Sequence, residues 1–269
     1  MAVKDHVQRA FFPIVSKLDQ KQSKFIYRYV TRRRGADDFL FLNTGYEEDP
    51  PMALPLDASE ERNRFCIQFY HRVAAQVDLR GKQVLEVGSG HGGGAVYLKR
   101  SLHPANYIGL DLNPDAIAFC RQTHRVDGLE FVHGDAENLP FPDESFDVVI
   151  NIESSLHYSN FRRFLAEVVR VLRPGGHFLY TDFRPSFLID SWEAALAEAP
   201  MRQLSQTEIN AEVVRGVEKN LPQWLISRDR SGRAFLPGLA RNYYSRAMTK
   251  GSEKLQSNDL SYRIYCFAK

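Results

Sequence analysis

Gly88, Gly90 and Gly93 follow directly on a short apolar run, Gln83–Val87. Glycine is required where a strand turns sharply into a helix and where a ligand presses against the backbone. That spacing alone suits many nucleotides, dinucleotides included. The acids around it narrow the choice. Glu86 stands two residues before the first glycine. A carboxylate there repels a pyrophosphate and suits a cationic amino-acid group. Asp111 closes a second apolar run, where an acid can accept hydrogen bonds from both hydroxyls of a ribose. Asp135, in Gly134-Asp135-Ala136-Glu137-Asn138-Leu139-Pro140-Phe141, closes a third and can accept from an adenine amino group.

These residues must be positioned by alternating strands and helices. Strands are predicted at Gln83–Val87, Tyr107–Leu112, Leu129–His133, Asp147–Ile152 and His177–Phe183. The fourth is apolar throughout, as a strand buried on both faces should be. Helices are predicted over 93–101, 114–124 (opened by Pro114) and 160–172 (closed by Pro174-Gly175-Gly176). Before them, 59–78 has helical spacing at Phe65, Phe69, Val73 and Val77, with Ser59 as the cap. Residues 186–245 read as mostly helical, and Leu260–Phe267 as a last strand. Such alternation gives an α/β protein with a parallel sheet and helices on both faces. It divides into a helical cap (1–79), a nucleotide-binding core (80–183), a helical lid inserted after the fifth strand (184–245) and a closing strand (246–269).

The segments EVGSGHGGG, GLDLN, GDAENLPF, SFDVVI and LRPGG, spread over about residues 80–183, resemble the class I S-adenosylmethionine-dependent methyltransferases. That cofactor carries an ammonium and a sulfonium and no phosphate, in keeping with Glu86. The resemblance implies a Rossmann-like, seven-stranded, mostly parallel sheet whose last strand is antiparallel. It implies Glu86, Gly88, Ser89 and Gly90 at the methionine end of S-adenosyl-L-methionine. It places Asp111 and Leu112 at the ribose, Asp135 and Ala136 at the adenine, and Asn151 on the loop below the cofactor. Many relatives use a tyrosine ahead of the glycine strand, so Tyr46 is expected to close over the cofactor, with ordinary packing as the alternative.

Further segments, among them Tyr46-Glu47-Glu48-Asp49-Pro50-Pro51-Met52, Tyr70-His71-Arg72, Gly90-His91-Gly92-Gly93-Gly94 and Leu260-Ser261-Tyr262-Arg263, are similar to the mycobacterial phthiotriol/phenolphthiotriol dimycocerosate methyltransferase family. That family includes related fatty-acid and glycolipid O-methyltransferases. The resemblance implies methylation of a hydroxyl on a long-chain lipid or lipid-linked product. A sugar, a polyketide or a carbon acceptor stays open, and an NAD(P)-dependent oxidoreductase is the reading from another class. Methyl transfer is an in-line displacement that needs alignment and exclusion of water. A hydroxyl acceptor is a poor nucleophile and gains from a general base. The segment Asn151-Ile152-Glu153-Ser154-Ser155-Leu156-His157-Tyr158 is expected to open toward the methyl group. His157 is the first candidate base, Glu153 the second and His71 a weaker third; the alternative for His157 is a packing role. Phe187, Leu188, Trp192, Trp224, Leu225, Ile226, Phe235, Leu236, Tyr243 and Tyr244 could line an apolar acceptor pocket or simply pack the lid onto the sheet.

No paired acids beside an asparagine mark a magnesium site, so metal independence is expected. Cys66, Cys120 and Cys266 lie far apart, without CxxC spacing, which disfavours zinc or a disulfide framework and fits a reducing cytoplasm. No signal peptide or bilayer-spanning run is evident. A net charge of +2 gives no argument for nucleic acid. Residues 1–34, however, hold nine Lys/Arg and two acids, interleaved with Phe11, Phe12, Phe25, Tyr27 and Tyr29. One or two amphipathic helices there would suit an anionic membrane surface, or merely a solvated face.

Overall fold

The computed structural model describes Thr31 and residues 40–226 and 238–269, the side chains of 223–244 and 247 excepted. The basic arm at 1–34 therefore lies outside the described residues, Thr31 apart. After a one-turn 3-10 segment, α1 (Arg64–Ala74) leads to β1 (Gln83–Val87), α2 (Gly93–Ser101), β2 (Asn106–Asp111), α3 (Pro114–Thr123) and β3 (Leu129–His133). There follow β4 (Phe146–Ile152), a 3-10 turn (Ser155–His157), α4 (Phe161–Val171), β5 (Leu172–Pro185) and α5 (Ile189–Glu198). The chain ends with β6 (Arg202–Glu208), α6 (Asn210–Ile226), α7 (Gly238–Gln256) and β7 (Leu260–Ala268).

The seven strands form one sheet in the order β3-β2-β1-β4-β5-β7-β6. β1 to β5 run parallel, and β7 is antiparallel to both β5 and β6. The Rossmann-like, seven-stranded, mostly parallel sheet with an antiparallel last strand, expected of the sequence, is thus present. Successive residues of the central strands face opposite layers. Val84, Val148 and Ile150 pack with α1, α2, α3, α6 and α7, through residues such as Phe69, Leu98, Cys120 and Val213. Leu85, Val87 and Val149 pack with α4 and α5, through Phe164, Val168, Trp192 and Leu196. The order reverses between β1 and β4, and such a reversal opens a crevice at the carboxyl ends of the strands.

Three local expectations need correction. The helix expected over 59–78 is confined to α1, and its cap position is Asn63 rather than Ser59. Pro174-Gly175-Gly176 does not cap α4: Leu172 is already extended, and 173–176 bulge out of the β4–β5 pairing, with Gly175 at φ +76°. Within the segment expected to be mostly helical, Arg202–Glu208 is the strand β6. Every residue of β6 is exposed, because it is an edge strand with solvent on both faces. Its polar composition therefore carried no apolar alternation to read.

Candidate active site

At the switch point between β1 and β4 lies a cavity of about 450 Å³. Its wall is made by the ends of four strands: Val87–Gly90, Leu110–Asn113, Gly134–Glu137 and Ile152–Ser154, with His157 and Tyr158 beyond. Gly88, Ser89, Gly90, Asp111, Leu112, Asp135, Ala136, Glu153 and His157 are brought together on it. Glu86, Tyr46, Asn151 and His71 are not on it.

The glycine loop is lashed to β2. The Gly88 and Ser89 N–H groups both donate to the Leu110 carbonyl, at 2.7 and 2.9 Å, and the Gly90 N–H donates to Asp111 Oδ2 at 2.9 Å. The Gly92 and Gly93 N–H groups donate to the carbonyls of Ser89 and Leu40. A phosphate cradle works by aiming unused backbone N–H groups at the anion. Here those donors are already engaged within the protein, so the loop approaches its ligand without presenting that cradle. Gly88 sits at φ +84°, and a Cβ there would lie 2.4 Å from Ser154 Oγ.

Asp111 is almost fully buried, and burial lifts its carboxyl to about 6 despite the N–H groups of Asn113 and Gly90. Those two bonds use half of a carboxylate's accepting capacity, leaving room for two hydroxyls. Beside it Leu112, on the same wall, is 53% exposed and offers an apolar face to a flat ligand. Across the cavity, Asp135 Oδ1 accepts from the Glu137 N–H at 2.9 Å. Ser89 Oγ and Asn113 Nδ2 are buried without a hydrogen-bond partner, and both residues are on the wall. Buried polar atoms are seldom left so unless a ligand, an ion or a water completes them. Two acids at the ends of β2 and β3, an apolar slot and these two atoms fit a nucleoside-bearing amino acid.

Glu86 is 1% exposed and turned beneath the loop. Tyr70 and Tyr107 each donate to it at 2.9 Å, and burial raises it to about 7. Tyr70, which the sequence offered only as part of the Tyr70-His71-Arg72 segment and without a site role, is the side chain that stands between Glu86 and the cavity. Tyr46 stacks on Phe69 and donates to Glu48, so it packs α1 instead of closing over the cavity. Asn151 is fully buried and ties the Val87 carbonyl to Ser154 and Tyr158 from below. His71 pairs with the Tyr97 hydroxyl at 2.9 Å on the outer side of α1.

Glu153 follows β4 at φ +50°, a strained conformation for a residue with a side chain. It accepts from the Thr44 N–H and hydroxyl and from the Tyr262 hydroxyl, and burial raises it to about 7. Leu40, Leu42 and Ile152 add an apolar stretch of wall near it. Trp192 packs under Tyr180 and Tyr265, and neither it nor Phe187 nor Leu188 reaches the cavity. The side chains of Trp224, Leu225, Ile226, Tyr243 and Tyr244, and all of Phe235 and Leu236, lie outside the described residues. Among the described residues no cluster of His, Cys, Asp and Glu could hold a metal ion. No described helix is long and apolar enough to cross a membrane.

Comparison with known proteins agrees with this geometry. Residues 85–180 match the methyltransferase domain family. The chain is 56% identical over 253 residues to the fatty-acid O-methyltransferase of Mycolicibacterium smegmatis, covering 94% of this chain and 92% of the relative. It is 58% identical over 246 residues to the phthiotriol/phenolphthiotriol dimycocerosates methyltransferase of Mycobacterium tuberculosis, covering 91% of each. Among solved structures, a cyclopropane synthase from Mycobacterium tuberculosis shares the fold at a TM-score of 0.68 and 13% identity, over 89% of this chain and 95% of that one. A geranyl diphosphate methyltransferase shares it at 0.62 and 16% identity, over 91% and 98%. The chain belongs to the S-adenosylmethionine-dependent methyltransferases, in the family of the phthiotriol/phenolphthiotriol dimycocerosates and fatty-acid O-methyltransferases, and S-adenosylmethionine is its cofactor.

Proposed function

We propose that this enzyme methylates a hydroxyl of a long-chain lipid or lipid-linked product, with His157 taking the proton. The observation that carries this reading is that His157 and Glu153 share one cavity wall with Leu40, Leu42 and Ile152. An apolar wall with a few titratable groups suits the end of a long-chain alcohol. The names of the two relatives, both acting on lipids or fatty acids, support the same class.

When bound, S-adenosylmethionine supplies a methyl group on a positively charged sulfur. Around it, Asp111 would hold the ribose hydroxyls, and Leu112 and Ala136 the faces of the adenine, with Asp135 at its amino group. Gly88, Ser89 and Gly90 would bring the backbone against the methionine end, and Asn151 would brace that loop from below. Glu86 would act through Tyr70. The strap that hydrogen-bonds Leu40 to Gly93 and Thr44 to Glu153 would keep water out. His157 would receive the hydroxyl proton, with Glu153 the second candidate for that role.

The test separates two acceptor chemistries. A hydroxyl needs its proton removed; a carboxylate arrives already ionised and needs no base. His157→Ala should lower kcat on a long-chain diol about 100-fold or more, with S-adenosylhomocysteine binding unchanged by calorimetry. Near-normal turnover of the diol by the variant would remove His157 from the role. If wild-type enzyme methylates only the matching fatty acid, the hydroxyl reading itself falls. The basic arm at 1–34 supports peripheral contact with anionic lipid, read by sedimentation with anionic and neutral vesicles.

A further inference from the structure

Behind the turn that carries His157 lies a buried polar network that plays no part in the cavity wall. Asp182, in the second half of β5, is fully buried, and Arg184 beside it is 13% exposed; they pair at 3.3 Å. Asp182 Oδ1 accepts from the Phe183 N–H at 2.9 Å. Oδ2 accepts from the Ser155 hydroxyl at 2.6 Å and from the Leu156 N–H at 3.0 Å.

The hydrogens can be assigned by counting. Ser155 has one, and it goes to Asp182. Its oxygen then accepts from Arg184 Nη2 at 2.9 Å and from the Tyr180 hydroxyl at 2.6 Å. Tyr180 in turn accepts from Trp192 Nε1 at 3.0 Å. The result is a directed chain, Trp192 to Tyr180 to Ser155 to Asp182, with the Arg184 guanidinium 4.9 Å over the Trp192 ring.

Burying a carboxylate and a guanidinium costs several kcal/mol per ion, and such a pair often adds no net stability over apolar packing. A positional use explains it better. Among the described residues the network reaches the cavity at the turn Ser155–His157, where it grips the first residue by its side chain and the second by its backbone. The third residue is His157.

We propose that Asp182 is a positioning residue for His157, fixing the turn through Ser155 and the Leu156 N–H so that the imidazole meets the acceptor hydroxyl. This rests on the reading of His157 as the proton acceptor. Outer partners that orient the ligands of a metal site typically change activity about 10- to 100-fold, and an effect of that size is expected of a carboxylate that orients a base.

The experiment uses the full chain, a long-chain diol as acceptor, and four variants: Asp182→Asn, Ser155→Ala, Ser155→Thr and His157→Ala. Asp182→Asn and Ser155→Ala should each lower kcat about 10- to 100-fold, with KM for the diol and affinity for S-adenosylhomocysteine unchanged. Ser155→Thr, which keeps the hydroxyl, should recover most of the rate. Combined with His157→Ala, Asp182→Asn should cost little more, since groups that act as a unit are non-additive. The kcat of Asp182→Asn should rise steadily with pH, as in His157→Ala, where wild type levels off. If Asp182→Asn does not fold, Ser155→Ala and its double variant carry the same cycle. Losses that multiply with His157→Ala, or a kcat left intact while His157→Ala is crippled, would overturn the proposal and leave the reading of His157 standing. Normal turnover by His157→Ala would overturn both.

Discussion

Asp111 shows how one carboxylate can do two jobs. Its oxygens hold the Gly90 and Asn113 N–H groups, so the same side chain that would receive a ribose also sets the path of the glycine loop. Asp111→Asn keeps the size and loses the charge, so it should weaken S-adenosylhomocysteine binding about 10- to 100-fold by calorimetry, the worth of one or two charge-assisted bonds. The pH dependence follows from burial. Asp111 gains its proton as pH falls through about 6, so wild-type affinity should drop below that pH and the variant's should not. An unchanged affinity at acid pH would mean that the ribose is held elsewhere. At this scale the sequence told much. Asp111 and Asp135 stand at strand ends after apolar runs, and a strand end at the switch point is a cavity wall. Glu86 was legible as an acid at the loop but not in its direction, because Tyr70 and Tyr107, which turn it inward, come from α1 and β2.

Among the elements, the β1 and β4 ends are coupled by one contact that allows no slack. Gly88 lies against Ser154, and Asn151 holds both neighbours from below. Gly88→Ala meets two penalties. The left-handed backbone costs about 1–2 kcal/mol for a residue with a side chain. The new Cβ would also fall 2.4 Å from Ser154 Oγ and 2.6 Å from its Cβ. The variant should melt several degrees lower and bind S-adenosylhomocysteine poorly. Adding Ser154→Gly should restore part of the loss and no more, since it removes the contact and leaves the φ strain. Full recovery in the double variant would show that the backbone angle carries no cost. Elements buried on both faces, such as β4, were readable from their unbroken apolar runs. β6 was not, because an exposed edge strand is held by backbone pairing to β7 along Arg202–Glu208 and not by side-chain burial.

For the whole molecule, Glu86, Glu153 and Asp111 place three carboxyls inside or against the cores that flank the sheet, and burial raises all three. Their sign is opposite to that of a salt-bridged acid. An unfolded Glu86 loses its proton near 4.5, whereas the folded protein holds it to about 7. Between those values the native state binds more protons, so each step up in pH favours unfolding, and the full cost is present above about pH 7. Glu86→Gln isolates this term. A neutral carboxylic acid and an amide each offer one accepting oxygen and one donating side, and once one of the two tyrosine hydroxyls turns to accept from the amide, variant and wild type should melt close together near pH 5. At pH 8 wild type must keep a charge buried and the variant need not. The variant should then be the more stable, by at most about 3 kcal/mol for a shift of this size. Melting curves at pH 5, 6.5 and 8 read the difference directly. A gap that stays constant across that range would mean that Glu86 titrates like an ordinary carboxylate and that its two tyrosines, not its burial, set its charge.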